Sequence, residues 1–385
     1  MNLIKRQLEN VIKQLIHKYP VIALTGPRQS GKTTLLKNIF TDYQYVSLEN
    51  TDERNFADED PKGFLKKYNN HIIFDEVQRS PALFSYIQTK VDETGETGQF
   101  ILSGSQNFHL LKNITQSLAG RVALLKLLPF DNTELKAAGL LPDDWKSLIL
   151  KGFYPPIYDR NLDYSFFYSN YIQTYINRDV SELTRIHDYK RFNNFIGLCA
   201  ARTGQLLNIS SLAKSCGISQ PTAKSWLSIL ESSYVIFLLA PYFENFNKRI
   251  IKSPKLYFYD TGLVSFLLGL RTEGDLVSRT LTGSLFENFI VADIIKNNYH
   301  QNLLKNYWFW RDSKGNEIDL LTKIGDIFDI YEIKSTQTVL PKLFKGMNYF
   351  DEISMGKIRK KTLIYGGNNN YEMSGHQILG WEGLQ

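Results

Sequence analysis

Two things are nearly missing from this chain of 385 residues: cysteine, of which there are two, and any apolar run approaching the length of a membrane span. Cys199 and Cys216 stand apart from each other and from any histidine pair. That leaves no spacing for a structural zinc or a disulfide and reads both as small core residues. The start, Met1 to Glu9, is charged and amphipathic, without the apolar stretch of a secretory leader. The expectations are a cytoplasmic chain and no membrane partner. An excess of one sign of charge is nearly lacking as well. Lys and Arg number 45 against 39 Asp and Glu, a net +6, which permits nucleic-acid contact without requiring it. No segment resembles a disordered tail. With 43% hydrophobic and 22% charged residues the composition is globular, and the length predicts two or three domains.

What is present is concentrated near the N-terminus. An apolar run, Val21-Ile22-Ala23-Leu24, reads as a buried strand and leads into Gly26-Pro27-Arg28-Gln29-Ser30-Gly31-Lys32-Thr33, the spacing of a phosphate-binding loop. Its glycines let backbone N–H groups converge on phosphate, and Thr34 to Ile39 offers a helix whose N-terminal dipole favours the same anion. Gly26 through Thr34 are therefore the expected nucleotide contacts. Lys32 reaches the β- and γ-phosphates, and Thr33 ligates magnesium. Such a loop needs an acidic partner ending a second buried strand, and His71-Ile72-Ile73-Phe74-Asp75-Glu76 supplies one. Asp75 holds the metal through its water shell, while Glu76 orients or deprotonates the attacking water. ATP and Mg2+ are the expected ligands, with hydrolysis favoured over binding alone.

From Val21 to about Leu128, short apolar strands alternate with helical stretches, the signature of a mostly parallel sheet. The strands expected are 21–25, 45–48, 71–74, 99–103 and 123–127. The fourth ends in Ser103-Gly104-Ser105-Gln106, where α/β sheets place ligands. Ser105 or Gln106 could sense the γ-phosphate, or the segment could be a simple turn. Arg121, just before the last strand, is placed either as an arginine finger on a neighbouring subunit or as a surface residue. From Pro129 to about Gly197 the pattern is helical and aromatic, with Tyr171 to Val180 its clearest element. Within it Arg178 either reaches the nucleotide or pairs with Asp179. Leu207 to Asp260 has the rhythm of a winged helix-turn-helix. Asn208 to Lys214 forms one helix, Cys216-Gly217-Ile218 a turn, and Ser219 caps a second helix; strands 235–239 and 255–259 then flank a basic wing at 247–252.

A second constellation lies near the C-terminus. Trp310 to Leu321 and Ile327 to Ser335 read as two strands. If the hairpin closes at Gly325-Asp326, Asp319 falls opposite Glu332 and Glu317 opposite Lys334. Side chains two apart share a face, so Glu317, Asp319, Glu332 and Lys334 would cluster. Asp319 and Glu332 could then bind a divalent cation while Lys334 steadies a phosphate or water, with Glu287 as a further carboxylate. A turn shifted by one residue would undo this alignment.

The whole chain resembles a large prokaryotic family of AAA-like ATPases of the archaeal-ATPase type. The resemblance rests on Leu24 to Thr34, Ile73-Phe74-Asp75-Glu76-Val77-Gln78, Leu102 to Gln106, Leu118 to Val122, Ala201 to Gln205 and Tyr259 to Leu263. The segment from Trp310 to Lys334 also looks like that family, whose C-terminal part resembles the PD-(D/E)xK nuclease fold; the matching positions are Glu287, Asp319, Glu332 and Lys334. Lys151-Gly152-Phe153-Tyr154-Pro155 departs from the Gly-Gly that the family often shows there. The resemblance implies an α/β P-loop NTPase (AAA-like) domain over residues 1–128 and a helical lid or connector over 129–197. A winged helix-turn-helix over 198–270 and an α/β restriction-endonuclease-like domain over 271–385 complete the order. The leading expectation is an ATPase acting as a nucleotide-driven switch. An ATP-regulated, metal-dependent DNA nuclease and a non-catalytic DNA-binding regulator are its rivals. DNA, a protein partner and a homo-oligomer all remain open.

Overall fold

Val21–Thr25, apolar over its first four residues, forms strand β1 and is buried at every residue. Parallel neighbours flank it on both sides, β4 (Phe100–Gly104) and β5 (Val122–Lys126). A strand covered on both faces has no polar side to present, which is why its sequence runs rather than alternates. With β2 (Gln44–Ser47) and β3 (Ile72–Asp75), these strands form a parallel sheet in the order β2-β3-β4-β1-β5. The edge strand β2 shows a mixed burial pattern instead. The computed structural model describes residues 3–105, 114, 116–180, 188–243, 251–278 and 280–383, the side chains of residues 177–180 and 278 excepted.

The chain divides into two compact units, one of Met1–Phe130 with Ser232–Tyr234 and Asn298–Leu303, the other of Asp131–Glu231, Val235–Asn297 and Leu304–Gln385. In the first, the helices α1 (Leu8–Leu15), α2 (Lys32–Ile39), α3 (Thr51–Glu59), α4 (Pro61–Lys67) and α5 (Leu83–Thr94) accompany the sheet. One apolar cluster gathers Phe64, Phe74, Phe84, Phe100 and Leu102. A second gathers Leu8, Ile12, Leu35, Leu36, Ile73 and Ile101. The five strands fall where expected, four of them displaced by one residue. At β3 the reason is local. His71 has a left-handed φ of 54° and cannot start the strand, while the Asp75 carbonyl still accepts the Leu48 N–H at 2.9 Å and extends it.

The second unit opens with short helices, Asn132–Ala137, Trp145–Lys151, Pro155–Asp159 and Tyr164–Tyr171. The stretch expected to be the clearest helix continues as a π-helix over Ile172–Val180. Further on, Ile209–Cys216 and Gln220–Ser232 are helices separated by Gly217 at φ 64°. The Asn208 side chain accepts the Ser211 N–H at 2.9 Å, and the Ser219 hydroxyl accepts the Thr222 N–H at 3.2 Å, so both helix starts are capped by short polar residues. An antiparallel pair follows, β6 (Ile236–Leu239) and β7 (Lys255–Phe258). Residues 247–250 of the expected wing lie outside the described residues. Cys199 is buried, while Cys216, at the end of its helix, is only half-buried.

The C-terminal sheet has the order β12-β13-β11-β10-β9-β8. Its strands are β8 (Tyr307–Arg311), β9 (Glu317–Ile324), β10 (Ile327–Lys334), β11 (Ile358–Tyr365), β12 (Tyr371–Met373) and β13 (His376–Gly380). Helix Lys345–Ile353 contributes Met347 and Phe350 to a core shared with Trp310, Ile318, Phe328 and Leu363. Trp145, early in the same unit, donates its indole N–H to the Gly366 carbonyl at 3.1 Å.

Candidate functional site

The loop after β1 is held by packing that only glycine tolerates. A Cβ on Gly26 would stand 2.0 Å from the Leu127 carbonyl oxygen, and Gly31 takes φ 91° immediately before α2. A left-handed residue at that point turns the first, unbonded N–H groups of α2 towards the loop. Lys32 folds back and donates to the Gly26 and Pro27 carbonyls, both at 2.9 Å. Burial lowers its pKa, with Glu76 and Asp75 opposing that shift. The buried Ser30 hydroxyl has no hydrogen-bond partner. Arg28 reaches outward to Glu49 at 3.2 Å, an acceptor that Arg79 approaches at 3.6 Å. Gln29 and Thr34 are exposed.

At the end of β3, Asp75 is fully engaged. It accepts the Thr33 hydroxyl at 2.8 Å and the Tyr45 hydroxyl at 2.7 Å on Oδ2, and the Ser103 hydroxyl on Oδ1. Burial and Asp75 together raise the Tyr45 pKa well above its ordinary value, keeping that phenol a donor. Glu76 sits in a left-handed conformation, φ 53° and ψ 43°. Its Oε2 accepts the Ser105 N–H at 3.3 Å, the Ser105 hydroxyl at 3.1 Å and the Gln78 side-chain amide. The donor set suits a hard cation and a phosphate: the Thr33 hydroxyl and Asp75 carboxylate are adjacent oxygens of the kind magnesium takes, and the partnerless Ser30 hydroxyl is one more polar group for an anion.

Not every expected residue is brought to this place. Arg121 lies before the first residue of β5, at the end of the sheet opposite the loop, and is paired with Asp92 on α5 at 2.5 and 2.8 Å. Gln106 lies outside the described residues, as does the side chain of Arg178. Conversely, Arg6 belongs to the site though the sequence reading passed it over. The residue is 5% exposed, and its guanidinium donates to the Ser30 carbonyl at 2.8 Å and the Leu128 carbonyl at 2.7 Å and lies over the Phe130 ring. A lone arginine just before an amphipathic helix carries no sequence signal of such a role.

In the second unit, the hairpin of β9 and β10 has the register expected from a turn at Gly325-Asp326, running from Ile324↔Ile327 to Leu320↔Tyr331. It stops one residue short of the expected Asp319–Glu332 pair. The Asp319 carboxylate instead accepts the Ile333 N–H at 2.8 Å, taking the place of a ladder bond. Lys334 lies 3.1 Å from Asp319 and 2.6 Å from Glu332. Glu317 does not face Lys334 as expected. It pairs with Arg311 at 2.9 Å and with Lys255 on β7. Lys255, 3% exposed, also meets Glu287 at 2.7 Å, and the Tyr257 hydroxyl donates to the same Glu287 oxygen at 2.6 Å. In the sequence Lys255 marks only the start of an expected strand, so its ammonium is an unexpected centre of this cluster.

The electrostatics follow from those neighbours. Burial works against the charge of Lys255, but Glu287, Asp319 and Glu317 outweigh it and raise its pKa. Burial would raise Asp319, but Lys334, Lys255 and the Ile333 N–H hold its carboxyl below the ordinary value. Burial, joined by Asp319, pushes Glu332 up to about 8 against the opposition of Lys334. Its Oε2 is buried without a partner. A carboxyl raised in the folded state favours folding below its unfolded value of about 4.5, and that contribution is lost as pH rises through about 8. Glu332→Gln removes this titration. The variant should gain in melting temperature relative to wild type as pH rises through that window. A pH-independent gap in thermal unfolding would contradict the assignment.

Comparison with known proteins divides the chain into three matched segments. Residues 18–136 match the family described as AAA domain, residues 142–274 a domain of unknown function (DUF8612), and residues 282–383 another (DUF4143). Uncharacterized proteins of Mycobacterium bovis and Mycobacterium tuberculosis are each 29% identical over 369 residues, 94% of this chain and 80% of theirs. Among solved structures, the Walker-type ATPase of Pyrococcus abyssi aligns with 69% of this chain and 96% of its own, at 15% identity and TM-score 0.47. The ADP form of the Aeropyrum pernix ORC2 protein aligns with 60% and 85%, at 15% identity and TM-score 0.31. No helix among the described residues is long and apolar enough to cross a membrane. The AAA match and the parallel sheet together support an α/β P-loop ATPase fold for the N-terminal segment, with ATP as its ligand.

Proposed function

We propose that this chain is an ATP-hydrolysing switch. The observation that carries the reading is the convergence of Lys32, Thr33 and Asp75 at the carboxyl ends of β1 and β3, with Glu76 beside them. Lys32 leaves the Gly26 and Pro27 carbonyls and takes up phosphate oxygens; its loop bonds are the resting substitutes for that contact. Thr33 and Asp75 would hold magnesium, which when bound neutralises charge on the phosphates. Glu76 accepts a proton from the attacking water. Bond formation between that water and the γ-phosphorus accompanies cleavage of the β,γ-bridging bond, leaving ADP and phosphate. Loss of the γ-phosphate would release Lys32 and Ser105 to their resting partners, and that change is the proposed switch signal.

The test is ATP hydrolysis by the full chain with magnesium, beside binding of a fluorescent ATP analogue. Lys32→Ala should lose turnover by about 10²-fold or more and weaken nucleotide binding. Undiminished turnover in that variant would overturn the proposal.

The carboxylate and lysine cluster of the second unit supports a second reading, a metal-dependent nuclease regulated by ATP. Its support is the buried, partnerless Glu332 Oε2 beside Asp319. Asp319 and Glu332, with Glu287, would hold the cation, and Lys334 would face the phosphate. Magnesium- or manganese-dependent plasmid cleavage that disappears in Asp319→Ala is the result this reading requires. The helix-turn-helix and hairpin preceding the cluster would then present DNA as a winged helix does.

A further inference from the structure

The ATPase reading leaves Gln78 without a task, yet its geometry is costly. The side chain is 7% exposed, and its Oε1 has no hydrogen-bond partner. A buried amide oxygen left unpaired carries its desolvation penalty without return. Its orientation follows from its neighbour: Nε2 donates to Glu76 Oε2, and a flipped amide would set oxygen against carboxylate. Room for it exists only because residue 104 is glycine. A Cβ there would stand 2.2 Å from Gln78 Oε1. Gln78 itself rides on the 3-10 turn Val77–Arg79, which begins directly after the left-handed Glu76. A left-handed conformation is strained at a non-glycine residue. Strain at one residue and an orphaned oxygen at the other thus meet in a single hydrogen bond.

We propose that Gln78 is a positioning residue for Glu76, acting with Ser105 as a clamp on one carboxylate oxygen. All three donors from those two residues converge on Oε2. Oε1 is left to receive the proton of the attacking water as the water oxygen bonds to the γ-phosphorus and the β,γ-bridging bond breaks. Because β4 lies between β1 and β3 in the sheet, Ser105 follows the strand between the phosphate loop and the acidic strand. A γ-phosphate that draws the Ser105 hydroxyl away leaves the Gln78 amide, with the Ser105 N–H, to keep Glu76 aimed. The clamp rests on the ATPase reading and adds to it the residue that sets the carboxylate's direction.

The experiment measures kcat and KM for ATP, with melting temperature, on full-length wild type, Gln78→Met, Gly104→Ala and Glu76→Gln. Gln78→Met keeps the chain length and removes the amide. Gly104→Ala keeps the amide and displaces it. Each should lower kcat by about 10- to 100-fold while KM stays within about twofold, the mark of an interaction used in the chemical step. A folded Gln78→Met or Gly104→Ala enzyme with unchanged kcat overturns the clamp, and if Glu76→Gln is inactive in that series the ATPase reading survives it. A wild-type chain that binds ATP without turnover overturns both.

Discussion

Glu76→Gln should reduce ATP turnover by about 10²- to 10⁴-fold, the range expected when a positioned base is lost, with little change in nucleotide affinity. The separation of the two effects follows from the bonding. Lys32 is tied to Gly26 and Pro27, and Thr33 to Asp75, none of them to Glu76. An amide is close to a carboxylate in size and can still meet Ser105, so the loop has no reason to rearrange. What it cannot do is take a proton. Steady-state hydrolysis and titration with a fluorescent ATP analogue, run on the same preparation, give the two numbers. Wild-type turnover in this variant would place the base elsewhere, and a matched loss of binding would recast Glu76 as part of the nucleotide seat.

Lys255→Met should be among the most damaging single changes in the second unit, at about 3–5 kcal/mol, because it removes one partner of a buried ion group and leaves Glu287 uncompensated. Glu287 and Glu317 both bond this ammonium, and Glu287 already has its pKa raised by burial in spite of it. Without Lys255 that carboxyl is driven further towards its neutral form. The deficit should therefore shrink as pH falls and Glu287 takes up a proton in the folded chain. Denaturant unfolding of wild type and variant at several pH values measures this. Adding Glu287→Gln and Glu317→Gln to Lys255→Met should recover part of the loss, since neutral groups no longer need the cation. A loss under about 1 kcal/mol would put the pair in the class of exposed ion pairs instead.

How much of this was legible beforehand depended on the range of each interaction. The phosphate loop and the Asp75-Glu76 strand end announce themselves because their chemistry lies along the backbone, in residues whose order is their geometry. The β9–β10 register was legible for a similar reason. A two-residue turn at Gly325-Asp326 and a period of two determine which residues face each other, up to the point where Asp319 turns its carboxylate onto the Ile333 N–H. Interactions across the fold were hidden. Lys255 stands 32 residues before Glu287, and nothing in its strand distinguishes it from a solvent-facing lysine. Arg6 reaches Ser30 and Leu128 only through the tertiary fold. Gln78 was read merely as part of a family-like run, because its turn onto Glu76 requires a left-handed backbone that the sequence does not mark.

The position of Lys255 bears on how this protein can be taken apart. It lies in the segment 142–274, while Glu287, Glu317, Asp319 and Glu332 lie in the segment 282–383; Trp145 and Gly366 join the same two segments. The border between the two family matches is therefore a seam in the sequence alone. Expressed without its predecessor, the C-terminal segment would keep Lys334 for Asp319 and Glu332 and Arg311 for Glu317 but leave Glu287 without its counter-ion, and a truncation made at that seam would part Lys255 from Glu287 and Trp145 from the Gly366 carbonyl.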